Sequence, residues 1–287
     1  VNDPTTKFPW GNGDRRVDLL VMEGTYGDRV HDPVEDLKEK LKKVIIETEA
    51  RGGSIVIPSF AFGRTQELLY WLHEIYNEKA VKPLPIYVDS PLAMNLTKVF
   101  GEHPEVYDQA THKTFLEKGQ NPFQFDQVHF IQTVEESMAL LNDPRPNIVI
   151  AASGMCEAGR ILHHLRYKIH NPNNTILIVG FMAENTLGRR ILEFGKQYEK
   201  DGRQGPAPIL KFLNKTYPLN ARVVELGGFS AHADKNEMLR FLQESQLKIG
   251  KLVLVHGETE QLISFGSFLQ NKGYKNIFIP RKGESIE

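Results

Sequence analysis

The chain has 287 residues, about 40% of them apolar and 25% charged, with 35 basic against 36 acidic residues and a formal net charge of -1. That size and apolar content suit one or two globular units and exclude a disordered segment, and charge this close to neutral leaves any polyanion to be met by a local patch. The single cysteine, Cys156, excludes an intrachain disulfide and a cysteine zinc cluster, so that a metal would need His and carboxylate ligands.

The start, Val1-Asn2-Asp3-Pro4, lacks the basic and apolar regions of a signal peptide, and no apolar run approaches the roughly 18 residues of a membrane span. A cytoplasmic, reducing location is the expectation. The first buried-type strand is Val17–Glu23, close behind a first residue that is not Met, which reads as a truncation or a processed chain. Strand–turn–helix units then recur. Ser54–Pro58 leads through Phe60-Ala61-Phe62-Gly63-Arg64 into a helix with Leu68, Leu69 and Leu72 on one face. Pro85–Val88 leads through Asp89-Ser90-Pro91 into Leu92–Phe100. Asn147–Ala151 leads through Ser153-Gly154-Met155 into Gly159–Lys168, and Thr175–Val179 leads through Gly180-Phe181-Met182 into Thr186–Phe194. Continuous apolar strands alternating with helices predict an α/β fold with a parallel sheet covered on both faces, and ligands in such sheets bind at the carboxyl ends of the strands. Asp201–Pro208 reads as a loop or hairpin turn where the organisation changes. Beyond it come the strands Ala221–Leu226, Lys251–His256 and Asn276–Pro280 and the helices Lys235–Gln243 and Glu260–Lys272.

Gly63-Arg64, Gly159-Arg160 and Gly188-Arg189 each fall after a strand exit, at the start of a helix. Orphan N–H groups and partial positive charge at a helix N-terminus disfavour a cation there by roughly 0.3–1 kcal/mol unless an anion shares both. Glycine lets the backbone approach a phosphate and Arg supplies a bidentate fork. A surface arginine beside a turn glycine is the ordinary alternative for any one of them; three in one register favour phosphate. Polar clusters also end apolar strands at Glu23-Gly24-Thr25-Tyr26-Gly27 and His256-Gly257-Glu258, with a third at Ser230-Ala231-His232-Ala233-Asp234. A histidine at such a strand end can offer one ring nitrogen to a metal while an acceptor orients the other. Taken singly, His256 reads more readily as a satisfied core or surface histidine, and Glu23 as a strand-terminal surface carboxylate.

The ordered set Glu23-Gly24-Thr25-Tyr26-Gly27, Pro58-Ser59-Phe60-Ala61-Phe62-Gly63-Arg64-Thr65-Gln66-Glu67, Ala152-Ser153-Gly154-Met155-Cys156-Glu157-Ala158-Gly159-Arg160, Phe229-Ser230-Ala231-His232-Ala233-Asp234 and Val255-His256-Gly257-Glu258 resembles the β-CASP family of metallo-β-lactamase-fold nucleases over nearly the whole chain. The resemblance implies a β-CASP domain over 28–217, flanked by parts of a metallo-β-lactamase αββα domain at 1–27 and 218–287. It implies metal-dependent hydrolysis of RNA phosphodiester bonds, with single-stranded RNA as partner. Glu23 matches the motif A acid, His232 the motif B histidine, a proton donor to the leaving oxygen, and His256 the motif C histidine, a zinc ligand associated with RNA rather than DNA substrates. A carboxylate beside an imidazole suits that proton-donor role. Arg64, Ser153, Gly154, Gly159, Arg160, Thr186, Gly188 and Arg189 are the residues expected on RNA phosphates.

Two departures stand out. Gly24 occupies a position where the family usually has Ser. The spacing His-x-His-x-Asp-His, the family's main metal motif, does not occur, nor do the further His and bridging Asp that lie upstream of the Glu23 strand in family members. Of the expected ligands only His256 is present, so the two zinc ions of a full-length parent are not expected to be fully bound by this chain, which reads as a partial catalyst. The uncovered apolar edge is expected to drive dimerisation. His31, His73, His103, His112, His129, His163, His164 and His170 are expected to be structural or solvated. Two rivals stay open: a non-catalytic RNA-binding module derived from such a nuclease, and a nucleotide-binding α/β domain, which lacks both a P-loop and a Gly-x-Gly-x-x-Gly.

Overall fold

The computed structural model describes residues 15–31 and 34–286. In chain order its elements are β1 (Arg16–Glu23), α1 (Val34–Ala50), β2 (Ile55–Pro58), α2 (Arg64–Asn77), β3 (Ile86–Asp89), α3 (Pro91–Glu102), α4 (Gln109–Thr114), β4 (Val128–Phe130), α5 (Val134–Leu141), β5 (Ile148–Ala151), α6 (Ile161–Lys168), β6 (Thr175–Ile178), α7 (Leu187–Lys200), β7 (Ile209–Phe212), β8 (Lys215–Pro218), β9 (Arg222–Glu225), α8 (Lys235–Glu244), β10 (Lys248–Val255), α9 (Thr259–Asn271) and β11 (Ile277–Phe278). They divide into a larger unit, residues 34–229, and a smaller one made of 15–31 and 230–286.

The larger unit is built on a six-stranded parallel sheet of order β4-β3-β5-β2-β6-β9. Alternation along each strand feeds two cores. Ile55, Ile57, Ile148 and Ile150 point into one with Leu37, Leu41 and Ile45 of α1 and Leu68, Leu69 and Leu72 of α2. Val56, Val149, Ile176 and Ile178 point into the other with Ile161 and Leu165 of α6 and Leu187 and Ile191 of α7. β2, β5 and β6 are buried along their whole length, which is why their residues are apolar except Thr175, whose hydroxyl is hydrogen-bonded to Thr48 and Arg51. Each fully buried Leu or Ile contributes about 1.5–3 kcal/mol. The central strands are thereby a rigid base for the loops at their carboxyl ends.

Three features differ from the sequence reading. Helix α1 fills the stretch between the first two predicted strands; Leu37, Leu41, Val44 and Ile45 lie at helical spacing and are buried. Asp201–Pro208 leads into the antiparallel hairpin β7–β8, in register from Ile209↔Pro218 to Phe212↔Lys215. The strand within Ala221–Leu226, expected with the C-terminal part, is β9, which pairs in parallel with β6 from Thr175↔Arg222 to Ile178↔Glu225. The compact units of the structure divide at 229/230. At its other end residues 28–31 go with the smaller unit, because Lys235 N donates to Arg29 O and His31 N to the Asp234 carboxylate. The expected segment 1–27 is described only from residue 15 onward.

The smaller unit has a three-stranded parallel sheet of order β1-β10-β11. Leu252, Leu254, Met238, Leu242, Leu262, Phe265 and Leu269 form its core, with Leu20 and Met22 of β1 packed against it. The alternate residues of β1, Leu19 and Val21, are 43% and 51% exposed.

Candidate functional site

In the smaller unit the parallel register sets Glu23 opposite Val255, so the exits of β1 and β10 run side by side and His256 emerges next to Glu23. The two turns pack closely: a Cβ on Gly257 would lie 2.8 Å from the Gly24 carbonyl oxygen, and His256 itself takes a φ of 51°. At Gly24 a Cβ would meet chiefly the mobile end of Leu262, so the family's Ser asks for a small side-chain shift there. His232 is delivered by the turn ahead of α8. That turn is fixed by Asp234, which caps α8 through Asn236 N and Glu237 N at 2.8 and 2.9 Å in a capping box with Glu237. His31, expected to be structural or solvated, braces the same turn, its Nε2 donating to the His232 carbonyl at 2.8 Å while its ring meets Tyr26 edge-on.

The three side chains named from the sequence converge. His232 Nδ1 lies 2.6 Å and His256 Nδ1 4.0 Å from Glu23 Oε2, and the two imidazole centroids are 5.1 Å apart. Thr25, named in its motif without a role, sits in their midst: Oγ1 is 2.7 Å from Glu23 Oε2, 2.9 Å from His256 O and 3.1 Å from His256 Nδ1. A carboxylate only accepts, so His232 donates Nδ1–H to Glu23 and has Nε2 left for a ligand. The side chains of Glu23, His232 and His256 are 30%, 37% and 66% exposed, open enough for a substrate to reach.

Glu23, His232 and His256 are also the grouping of metal-ligating side chains found among the described residues, with one ligand atom of each within 4.8 Å of the others. Two imidazoles and a carboxylate are zinc-type donors, and they fit part of a four-ligand shell. They do not make up the ligand set of a zinc pair.

In the larger unit the three Gly-Arg pairs leave the adjacent strands β5, β2 and β6, so they share one end of the sheet. Every one of these arginines has an internal carboxylate. Arg64 pairs with Glu67 and lies over the Phe229 ring, Arg160 meets Asp89 at 2.7 Å, and Arg189 meets Glu193 at 2.6 Å. Ser153 and Thr186, also expected on phosphates, are similarly engaged: Ser153 Oγ accepts from Glu157 N and Ala158 N, and Thr186 caps Arg189 N. Beside them Leu187 N donates to the Glu157 carboxylate at 2.5 Å. The glycines serve loop-on-loop packing. A Cβ would fall 2.8 Å from the Phe60 ring at Gly154, 2.4 Å from the Ala152 carbonyl at Gly159 (φ 82°) and 2.3 Å from Met182 Sδ at Gly188.

The partner of Arg160 is a residue that the sequence reading treated as part of a turn. Asp89 is fully buried and accepts from Ser137 Oγ at 2.6 Å, Arg160 Nη1 at 2.7 Å and His164 Nε2 at 2.6 Å. Burial pushes its carboxyl up, but the hydrogen bonds from His164, Ser137 and Arg160 together outweigh that and hold it below the usual range. Burial lowers His164 against the opposing pull of Asp89, so the ring is neutral, donates Nε2–H and leaves a buried Nδ1 without a partner. His73 is likewise lowered by burial and stacks on Phe125 at 4.2 Å.

Comparison with known proteins matches two family models to this chain. A Beta-Casp domain model matches residues 65–191, and a model described as a Zn-dependent metallo-hydrolase RNA specificity domain matches residues 216–280. Ribonuclease TTHA0252 of Thermus thermophilus is 35% identical over 269 residues, which cover 94% of this chain and 58% of that protein. Transcription termination factor FttA of Methanosarcina mazei is 29% identical, over 94% of this chain and 41% of its own length, and the FttA of Methanocaldococcus jannaschii is 28% identical, over 94% and 42%. The chain thus spans about half the length of the curated relatives it matches.

Proposed function

This chain belongs to the β-CASP metallo-hydrolase family, and from that footing we propose that it serves the hydrolysis of RNA phosphodiester bonds. The observation that carries the reading is the Glu23–His232 pair. Its 2.6 Å contact through Nδ1 leaves Nε2 without a hydrogen-bond partner among the described residues, on a ring that a substrate can reach. Glu23 orients the ring, and as water attacks the phosphorus and the bond to the leaving oxygen breaks, His232 in its doubly protonated form gives its Nε2 proton to that oxygen. His256 is the zinc ligand this chain contributes, through Nε2, because its Nδ1 faces Thr25. Zinc, when bound, supplies Lewis-acid stabilisation of the charge that develops on the phosphoryl oxygens.

Single-stranded RNA is the proposed partner. Arg64, Arg160 and Arg189 at neighbouring strand exits supply cationic positions, and RNA phosphates exchange with or add to their present carboxylate partners. Phe60 and Phe62, 49% and 68% exposed at the exit of β2, offer faces on which bases stack. A cytoplasmic location and self-association through the exposed Leu19 and Val21 belong to the same proposal; cell fractionation and light scattering test them.

The partial ligand set favours a second reading, RNA binding without cleavage. Zinc content by elemental mass spectrometry beside a single-stranded RNA cleavage assay separates the two. Cleavage that depends on zinc supports the first reading. Binding with no cleavage, even with zinc added, supports the second.

A further inference from the structure

Thr25 is almost wholly buried, 3% exposed, and its hydroxyl has three close neighbours: Glu23 Oε2 at 2.7 Å, His256 O at 2.9 Å and His256 Nδ1 at 3.1 Å. His232 Nδ1 is further, at 3.5 Å, and has its own 2.6 Å bond to Glu23. A hydroxyl has one hydrogen to give and two lone pairs to receive with. Glu23 Oε2 and the His256 carbonyl can only accept. If the hydrogen went to His256 Nδ1, two oxygen–oxygen contacts under 3 Å, one with an anionic carboxylate, would be left with no proton between them. The hydrogen therefore goes to an oxygen, the 2.7 Å Glu23 contact being the shorter, and His256 must supply its own Nδ1–H to Thr25.

We infer that Thr25 is a positioning residue that holds His256 in the Nδ1–H tautomer, so that one hydroxyl–carboxylate pair sets both histidines of the site with Nε2 as the ligand-facing atom. The chain of donors runs from His256 Nδ1–H to Thr25 Oγ1–H to Glu23 Oε2, which also receives Nδ1–H of His232. Glu23 thus fixes one ring directly and the other through Thr25. Metal-ligating histidines are commonly oriented by such a second hydrogen bond, and here it comes from the threonine two residues beyond the acid, a spacing that folds both groups into the same strand-exit turn. The tautomer assignment stands on hydrogen-bond geometry alone; only its consequence for zinc rests on the proposed function.

The test is long-range ¹H–¹⁵N imidazole spectroscopy of the purified protein above the histidine titration range, for the wild type, Thr25→Val and Thr25→Ser. Both His232 and His256 are expected as Nδ1–H tautomers in the wild type. Thr25→Val is expected to move His256 toward the Nε2–H form that free imidazole favours while His232 stays as it was, and Thr25→Ser restores the wild-type pattern. Zinc affinity by chelator competition is expected to fall roughly 10- to 100-fold in Thr25→Val and to recover in Thr25→Ser. A wild-type His256 in the Nε2–H form overturns the inference, as does a Thr25→Val spectrum identical to wild type. A tautomer change with unaltered zinc affinity upholds the positioning role and counts against His256 as a ligand. Should Thr25→Val fail to fold, the wild-type spectrum and Thr25→Ser decide the assignment.

Discussion

Two carboxylate–imidazole contacts of equal length, 2.6 Å, stand at the carboxyl ends of parallel strands in this chain, Glu23–His232 in the smaller unit and Asp89–His164 in the larger. Their surroundings differ completely. The side chains of Glu23 and His232 are 30% and 37% exposed and His232 has Nε2 to offer, whereas Asp89 and His164 are fully buried and the remaining capacity of Asp89 is taken by Ser137 and Arg160. The same pair of functional groups is therefore open to solvent in one unit and sealed into the structure in the other. What separates them is access, which decides both whether a substrate arrives and how much the fold depends on the pair.

Stability measurements can break this contrast. Asp89→Ala strands Arg160, Ser137 and a buried histidine, and removing one member of a buried charged network typically costs about 3 kcal/mol or more. Glu23→Ala, which removes a partly exposed acid, is expected to cost roughly 1 kcal/mol or less. Urea unfolding of the two variants reads the difference directly, and equal losses would remove the distinction.

Acid sharpens it. Burial holds His164 below the usual imidazole value, so on acidification the unfolded chain takes up that proton, near pH 6.5, before the folded chain does, and stability declines as pH drops through that region by up to about 1.4 kcal/mol per pH unit. The depressed carboxyl of Asp89 contributes stability that is present above about pH 4 and is lost as pH falls through its lower folded value. Unfolding midpoints between pH 7.5 and 5 are expected to decline in the wild type, and to decline less in His164→Gln, whose amide keeps a donor for Asp89 without titrating.

Much of this contrast was out of reach of the sequence. The apolar runs of β2, β5 and β6 and the polar clusters at the ends of β1 and β10 and ahead of α8 are local signals, so the parallel sheet and the residues Glu23, His232 and His256 were legible, while their grouping came from the family resemblance. The Asp89–Arg160 pair joins residues 71 positions apart, and nothing local to Asp89-Ser90-Pro91 announces it. The partners of Arg64 and Arg189 were different: Glu67 and Glu193 stand three and four residues on, at helical pairing distance, and could have been read as intrahelical bridges. Thr25 was in view within its motif, but its role depends on the register that brings β10 beside β1. The β9 boundary went unread because a four-residue strand carries no mark of which sheet it joins.

A smaller effect is expected from the arginines. Because each already holds a carboxylate, replacing Arg64, Arg160 or Arg189 with Ala is expected to weaken single-stranded RNA binding modestly and independently of sequence, lowering the slope of log affinity against log salt by about 0.7 for each phosphate that is no longer neutralised. Fluorescence anisotropy across a salt series measures it, and slopes unchanged in all three variants would restrict these arginines to holding the loops together.

The most direct test of the account is the rate of zinc-dependent single-stranded RNA cleavage by His232→Ala and His164→Gln, each measured beside its melting temperature. The account predicts a loss of roughly 10²- to 10⁴-fold for His232→Ala with the melting temperature nearly unchanged, and for His164→Gln a lower melting temperature with cleavage largely retained below it. Undiminished cleavage by folded His232→Ala would contradict the assignment of the exposed pair as the seat of the chemistry.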